Sequence, residues 1–405
     1  MKNFVFISPH FPDNFWKFCL ALKDRGFNVL GIGDAPFNEI SDECKFVLTE
    51  YYVCPNMDEF ENEVEAVRYF KEKYGPIDYL ESNNEYWLEK DAKLREIFDI
   101  PHGPYTKQVQ YFKKKSLQKE ILIKNNIKCA DYTLDITKEG LEKFAKKVGF
   151  PIFAKPDNGV GAIGTFKMNS SDDIDEFLSK KDDSQYIAEQ FIDGKIISFD
   201  GICNSHSDLL FFTSHEFSDN ISNIVKTGAD EMYFCTGDVD VTLEQLGRQV
   251  VKAFNLQNRF FHIEFFILNK DHKGLGNKGD YIILEPNMRP AGGYTTDMIN
   301  YANSLNCYTI YADSIAYDST LEQPHDKKYF AICSSRRYNN LYRFSDEEII
   351  EKYAPNICMR GVFPKILSSA MGDIYYIAKF NTKEEMFEFD KYVREKNSWV
   401  LQGFC

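Results

Sequence analysis

Apolar and polar positions change period repeatedly along the first hundred residues. "NFVFIS" is a short continuous apolar run of strand length. "DNFWKFCLALKDRG" repeats its apolar positions at helical spacing and stops at Gly26, and "FNVLGIG" is a second apolar run. A β-α-β opening of this kind closes naturally into a parallel sheet. The alternation continues through a helix in "EFENEVEAVRYFKEKYG", a strand in "IDYLESN" and a helix in "EYWLEKDAKLREIF". Residues 1–104 are therefore expected to form a doubly wound α/β unit, bounded by the proline- and glycine-bearing stretch "DIPHGPYT".

Residues 105–188 predict a second unit. "QVQYFKKKSLQKEILIKNN" reads as one helix, "KEGLEKFAKKVG" as another, and "FPIFAKP" and "GTFKMN" as strands. "SDDIDEFLSKK" is a helix with Ser170 or Ser171 as its cap. From 189 to 320 the pattern turns β-rich, in "KIISFDGIC", "DLLFFTSHEF", "RFFHIEFFIL" and "DYIILEP", with one helix near "TLEQLGRQVVKAFN". That region predicts a largely antiparallel sheet with helices on one face. Residues 321–405 return to mixed strand and helix, a small C-terminal α+β region.

A chain of 405 residues suggests two to four folding units. The net charge of −14 argues against a general nucleic-acid or anionic-membrane binder. None of the ten cysteines forms a C-x-x-C pair. No apolar run is long enough to span a membrane, and Pro9, Pro12 and Asp13 interrupt any secretory signal, so a cytoplasmic location is expected. The run Lys113–Lys115 reads most simply as a solvated helix face.

Gly159, Gly161 and Gly164 spell G-x-G-x-x-G, the spacing of a dinucleotide turn. That turn requires a following helix, whereas "TFKMN" predicts a strand, so the glycines belong to a hairpin tip. An unliganded hairpin is one reading. Lys155, at the end of the preceding strand, favours another, in which backbone N–H groups and an ammonium hold phosphates. Downstream, Glu285 and Asn287 are two apart on a strand and share a face. Glu264 lies within an apolar strand, where a carboxylate must be paired, protonated or metal-bound. These oxygens form a hard donor set suited to Mg2+, with Arg289 near a transferring phosphoryl group. A structural ion pair between Glu285 and Arg289 is the competing reading. His215 and His262 read as sheet histidines or as a base, and Arg336, Arg337 and Arg360 as surface residues or recognisers of a substrate carboxylate.

In this order, "KKKSLQKEIL", "GFPIFAKPDNGVGAIG", "YIAEQFIDG", "FFHIEFFIL" and "YIILEPNMRPAGG" resemble the ATP-grasp enzymes, in the branch that includes biotin carboxylase, carbamoyl phosphate synthetase and carboxylate–amine ligases. The resemblance implies a pre-ATP-grasp α/β domain followed by a two-subdomain ATP-grasp fold. It implies that Lys115 and Lys155 contact the α- and β-phosphates of ATP, and that the loop Asp157 to Gly164 covers them. Glu189 would meet the adenine amine, with backbone groups of Gln190, Phe191 and Ile192 on the base edge. Glu264, Glu285 and Asn287 would hold Mg2+, with Mn2+ as a substitute, and Arg289 would meet the γ-phosphate and acyl group. Ile196 departs from the pattern, since many relatives carry a ribose-binding glutamate there. The implied activity is activation of a small-molecule carboxylate as an acyl phosphate and its coupling to an amine, with a homodimer common in such enzymes. A bicarbonate-activating carboxylase or carbamoyl phosphate-type enzyme, and a non-catalytic ATP-binding module, are the alternatives.

Overall fold

Strand β1 (Asn3–Ile7) is buried along its whole length, so both faces of its sheet must be covered. The computed structural model describes residues 1–159, 164–218, 224, 227–272, 274–322 and 327–397. In it, β1 joins β2 (Asn28–Gly33), β3 (Glu50–Val53) and β4 (Tyr79–Glu81) in a parallel sheet of order β3-β2-β1-β4. Period two divides β1 between two cores. Val5 and Ile7 pack with Val67 and Phe70 of the helix Phe60–Tyr74. Phe4 and Phe6 meet Phe18 of the helix Trp16–Asp24 in a larger aromatic core, which Tyr308, Tyr311 and Phe260 complete. Phe18 lies edge-on to Phe260 at 5.7 Å and to Tyr308 at 4.8 Å between ring centres, which fastens the parallel unit to the large sheet described next.

That large sheet has eight strands: β9 (Gly194–Cys203), β10 (Leu209–Phe217), β11 (Met232–Thr236), β12 (Arg259–Leu268), β13 (Tyr281–Asn287), β14 (Phe330–Arg336), β15 (Ile357–Val362) and β16 (Ile374–Phe380). Their order is β13-β12-β9-β10-β11-β14-β16-β15, with every pairing antiparallel. The strands of the C-terminal region thus extend the same sheet through β11 and β14. A smaller sheet, built from β5 (Tyr132–Thr133), β6 (Ile152–Pro156), β7 (Phe166–Met168) and β8 (Tyr186–Gln190) in the order β5-β8-β6-β7, packs under the helices Lys138–Val148 and Ser171–Lys180. Ser170 caps the latter by accepting from the Asp173 amide.

The single helix expected across "QVQYFKKKSLQKEILIKNN" is two helices, Thr106–Lys113 and Lys115–Lys124. The break is at Lys114, whose backbone is extended, and Asp157 accounts for it. Its carbonyl accepts from the Lys115 amide at 3.0 Å, and its carboxylate accepts from the Ser116 amide and hydroxyl, both at 2.7 Å. A side chain remote in sequence supplies the N-terminal acceptors that a continuous helix would provide internally. Among the described residues no helix is long and apolar enough to cross a membrane.

Candidate active site

The metal-type residues come from one face of the large sheet. Across β9, β12 and β13, Asp200 stands opposite His262 and His262 opposite Asn287, while Ser198 stands opposite Glu264 and Glu264 opposite Glu285. Two polar rows therefore lie side by side. The intervening Phe199, Phe261, Ile263 and Phe265 turn to the other face and pack against the helix Val241–Ala253. Burial on that side leaves the polar rows facing the cleft. Glu264 and Glu285 keep about a fifth of their side chains exposed there, 20% and 22%. Among the described residues no three His, Cys, Asp or Glu side chains form a metal-binding group by themselves.

The phosphate-type lysines arrive from two elements, Lys155 from the smaller sheet and Lys115 from the helix Lys115–Lys124, which packs through Leu122 into the core behind the large sheet. Lys155 is the penultimate residue of β6, which pairs with β7 as a hairpin, so Gly159 and Gly164 do lie between two strands. Gly161 falls outside the described residues. Gly164 has φ +73°, and a Cβ there would press on Pro156 at 3.0 Å, two reasons for glycine at this position. The Lys115 Nζ lies 3.1 Å from Glu285 and donates to the Gly159 carbonyl at 3.2 Å. Lys113 and Lys115 are both buried, contrary to the solvated face expected of this run.

Glu189 is buried between two ammonium groups, Lys155 at 3.0 Å and Lys119 at 3.1 Å. Burial alone would raise its carboxyl, but the two lysines hold it down at about 2. Lys155 in turn stays above its ordinary range against burial, with Glu189, Glu285 and Glu264 all acting on it. Next along the chain, the Gln190 amide donates to the Asp131 carbonyl, the Phe191 ring lies under the Lys167 ammonium at 3.9 Å, and Ile192 packs with Leu268 and Ile282.

Arg289 does not pair with Glu285. Its Nε and Nη2 donate to Glu85 Oε2 at 3.0 and 2.6 Å, and Lys113 Nζ donates to the Glu85 carbonyl at 3.1 Å. Glu85 follows β4, so the parallel unit also reaches the cleft. Asp200 accepts hydrogen bonds from both sheet histidines, His215 Nδ1 at 2.8 Å and His262 Nδ1 at 2.5 Å, and these two imidazoles hold it well below the usual carboxylate range despite burial. Arg336 and Arg337 are not surface residues: both are buried, with Arg336 donating to the Val393 and Phe344 carbonyls and Arg337 to those of Ala229, Ser368 and Ser369. Arg360 pairs with Asp346. Glu85 and Lys119 are the residues that sequence patterning misses, and for Asp157, expected only as the start of the glycine loop, it misses the hydrogen bonds to Ser116. For Lys119 a signal existed, its position four residues after Lys115 on the same helical face.

No family model matches the chain. The L-amino acid ligase from Bacillus licheniformis superposes over 96% of both chains with a TM-score of 0.71 and 16% identity. The N5-carboxyaminoimidazole synthetase from Staphylococcus aureus, in complex with ADP, does so over 97% of both with a TM-score of 0.67 and 16% identity. The chain has the ATP-grasp fold. In sequence, the chain is 26% identical over 257 residues to the L-arginine-specific L-amino acid ligase of Bacillus subtilis, spanning 60% of each protein. It is 27% identical over 234 residues to the D-alanine–D-alanine ligase of Francisella philomiragia, spanning 56% of this chain and 71% of that one. The match therefore covers less than two thirds of the length of the first of these relatives.

Proposed function

We propose that this ATP-grasp chain is an ATP- and magnesium-dependent ligase that activates a small carboxylate, an amino acid by first preference, as an acyl phosphate. Coupling to an amine then forms an amide or peptide bond and releases ADP and phosphate. The observation that carries the reading is the ion contact between Lys115 and Glu285, which sets a phosphate-type lysine at the start of the helix Lys115–Lys124 against a metal-type carboxylate of β13. The relatives' names, amino acid ligases in both cases, support the choice of substrate class.

The donor set fits Mg2+: two carboxylates directly opposite each other and an amide on the same face, all oxygen, partly open to the cleft. Such an ion, when bound, would offset charge on the phosphate oxygens. In the proposed reaction Lys115 and Lys155 hold the polyphosphate, releasing Glu285 and Glu189 as they do so. Arg289, kept charged and oriented by Glu85, faces the negative charge that builds as the substrate carboxylate attacks the γ-phosphorus. The P–O bond to ADP breaks in that step. The amine then attacks the acyl carbon and phosphate leaves, so no side-chain nucleophile is needed.

The test is an amino acid screen for ADP release with Mg-ATP. Stimulated release is expected from the purified protein, and Glu285→Ala should lower it by at least about a hundredfold while the far-ultraviolet circular dichroism is retained. Tight ATP binding with no stimulated release by any amino acid or other small carboxylate would favour a binding module instead.

A further inference from the structure

Glu189 carries two buried cations where one would neutralise it. Lys155 Nζ is 3.0 Å from one carboxylate oxygen and Lys119 Nζ is 3.1 Å from the other, and all three side chains are at least nine-tenths buried. The lysines are anchored differently. Lys119 also donates to the Ala130 carbonyl at 3.3 Å and lies 5.8 Å from the centre of the Tyr132 ring, on the β5 side of Glu189. Lys155 is the penultimate residue of the strand that leads into the glycine hairpin, near enough to Glu285 and Glu264 for both carboxylates to act on its charge. Lys119 is one turn beyond Lys115 on the helix Lys115–Lys124, so that helix sends one ammonium to Glu285 and the next to Glu189.

We propose that Lys119 is a positioning residue for nucleotide binding: it keeps the buried Glu189 carboxylate neutralised, so that Lys155 can move its contact to a polyphosphate. The inference rests on the reading that Lys155 binds ATP. With Lys119 present, departure of the Lys155 ammonium leaves Glu189 still paired. Without it, the same departure leaves a buried carboxylate with no cation in contact, a strongly unfavourable state. Glu189 would then retain Lys155 and oppose binding. Lys119 itself touches no phosphate in this arrangement, because its remaining contacts lie on the far side of Glu189.

The test compares Mg-ATP binding by titration calorimetry, together with kcat and KM for ADP release, in wild type, Lys119→Met, Glu189→Gln and the double variant. Lys119→Met should weaken Mg-ATP binding by at least about tenfold, with kcat changed much less than KM. Adding Glu189→Gln should remove that penalty, so the double variant binds within about threefold of Glu189→Gln alone. An unchanged affinity in Lys119→Met, or a double variant that stays as weak as the single, would overturn the proposal. If Lys119→Met does not fold, the comparison of Glu189→Gln with the double variant decides: equal affinity supports the role and a tenfold gap refutes it. Failure of wild type itself to bind Mg-ATP would instead defeat the underlying reading of Lys155.

Discussion

Three cations of the cleft are each held by a carboxylate: Lys115 by Glu285, Lys155 by Glu189, and Arg289 by Glu85. This arrangement keeps strong positive charge in a partly dry site without orphaning it, and leaves each cation an exchangeable partner. Glu63, on the helix Phe60–Tyr74, is a different case. It is fully buried, neither oxygen accepts a hydrogen bond, and its nearest cation, Lys90, is 3.5 Å away. Burial, only partly opposed by Lys90, pushes its carboxyl from 4.5 up to about 7. Because the folded value is the higher one, Glu63 stabilises the fold fully below about pH 4.5 and loses that contribution as pH rises through about 7. Glu63→Gln should therefore gain roughly 3 kcal/mol relative to wild type across that window, read from urea midpoints at its two ends. Parallel wild-type and variant profiles would contradict this. At this scale legibility in the sequence follows locality. The common face of Glu285 and Asn287 is readable because strand period two operates within a few residues, whereas Glu264 comes opposite Glu285 only through the pairing of β12 with β13. The pairing of Arg289 with Glu85 spans 204 positions, and no local pattern encodes it.

At the scale of elements, the informative feature is the interruption at Lys114. Helical periodicity runs unbroken through "QVQYFKKKSLQKEIL", and nothing in it marks a stop, because the signal is Asp157 at the base of the glycine hairpin. The hairpin itself is legible, since the strand pattern after the glycines is local. Asp157 ties the two together: the segment that carries Lys155 also sets the start of the helix that carries Lys115. Asp157→Ala should cost about 1 kcal/mol or somewhat more of stability, as loss of a helix cap does, and should weaken ATP binding as well. Ser170→Ala, which removes the cap of the helix Ser171–Lys180, should cost a similar amount and leave ATP affinity unchanged. Equal ATP affinities in the two variants would show that Asp157 is only a cap.

At the scale of the molecule, the cleft draws on all three sheets. Glu85 comes from the loop after the parallel sheet, Lys155 and Glu189 from the smaller sheet, Lys115 from the helix Lys115–Lys124, and Glu264, Glu285, Asn287 and Arg289 from the large sheet and its margin. The aromatic core around Phe18, Phe260, Tyr308 and Tyr311 holds the first and last of these together. The succession of β-α-β, hairpin and antiparallel segments is legible from periodicity. The joining of the C-terminal strands to the large sheet is not, because antiparallel pairing of β11 with β14 depends on a partner nearly a hundred residues away. The central claim, that this assembly converts a carboxylate into an acyl phosphate, is tested most directly by trapping. Incubation with Mg-ATP, an amino acid that stimulates turnover, and hydroxylamine in place of the amine should yield the amino acid hydroxamate together with ADP and phosphate in equal amounts. Formation of AMP and pyrophosphate, or ADP release with no hydroxamate from any carboxylate tested, would contradict it.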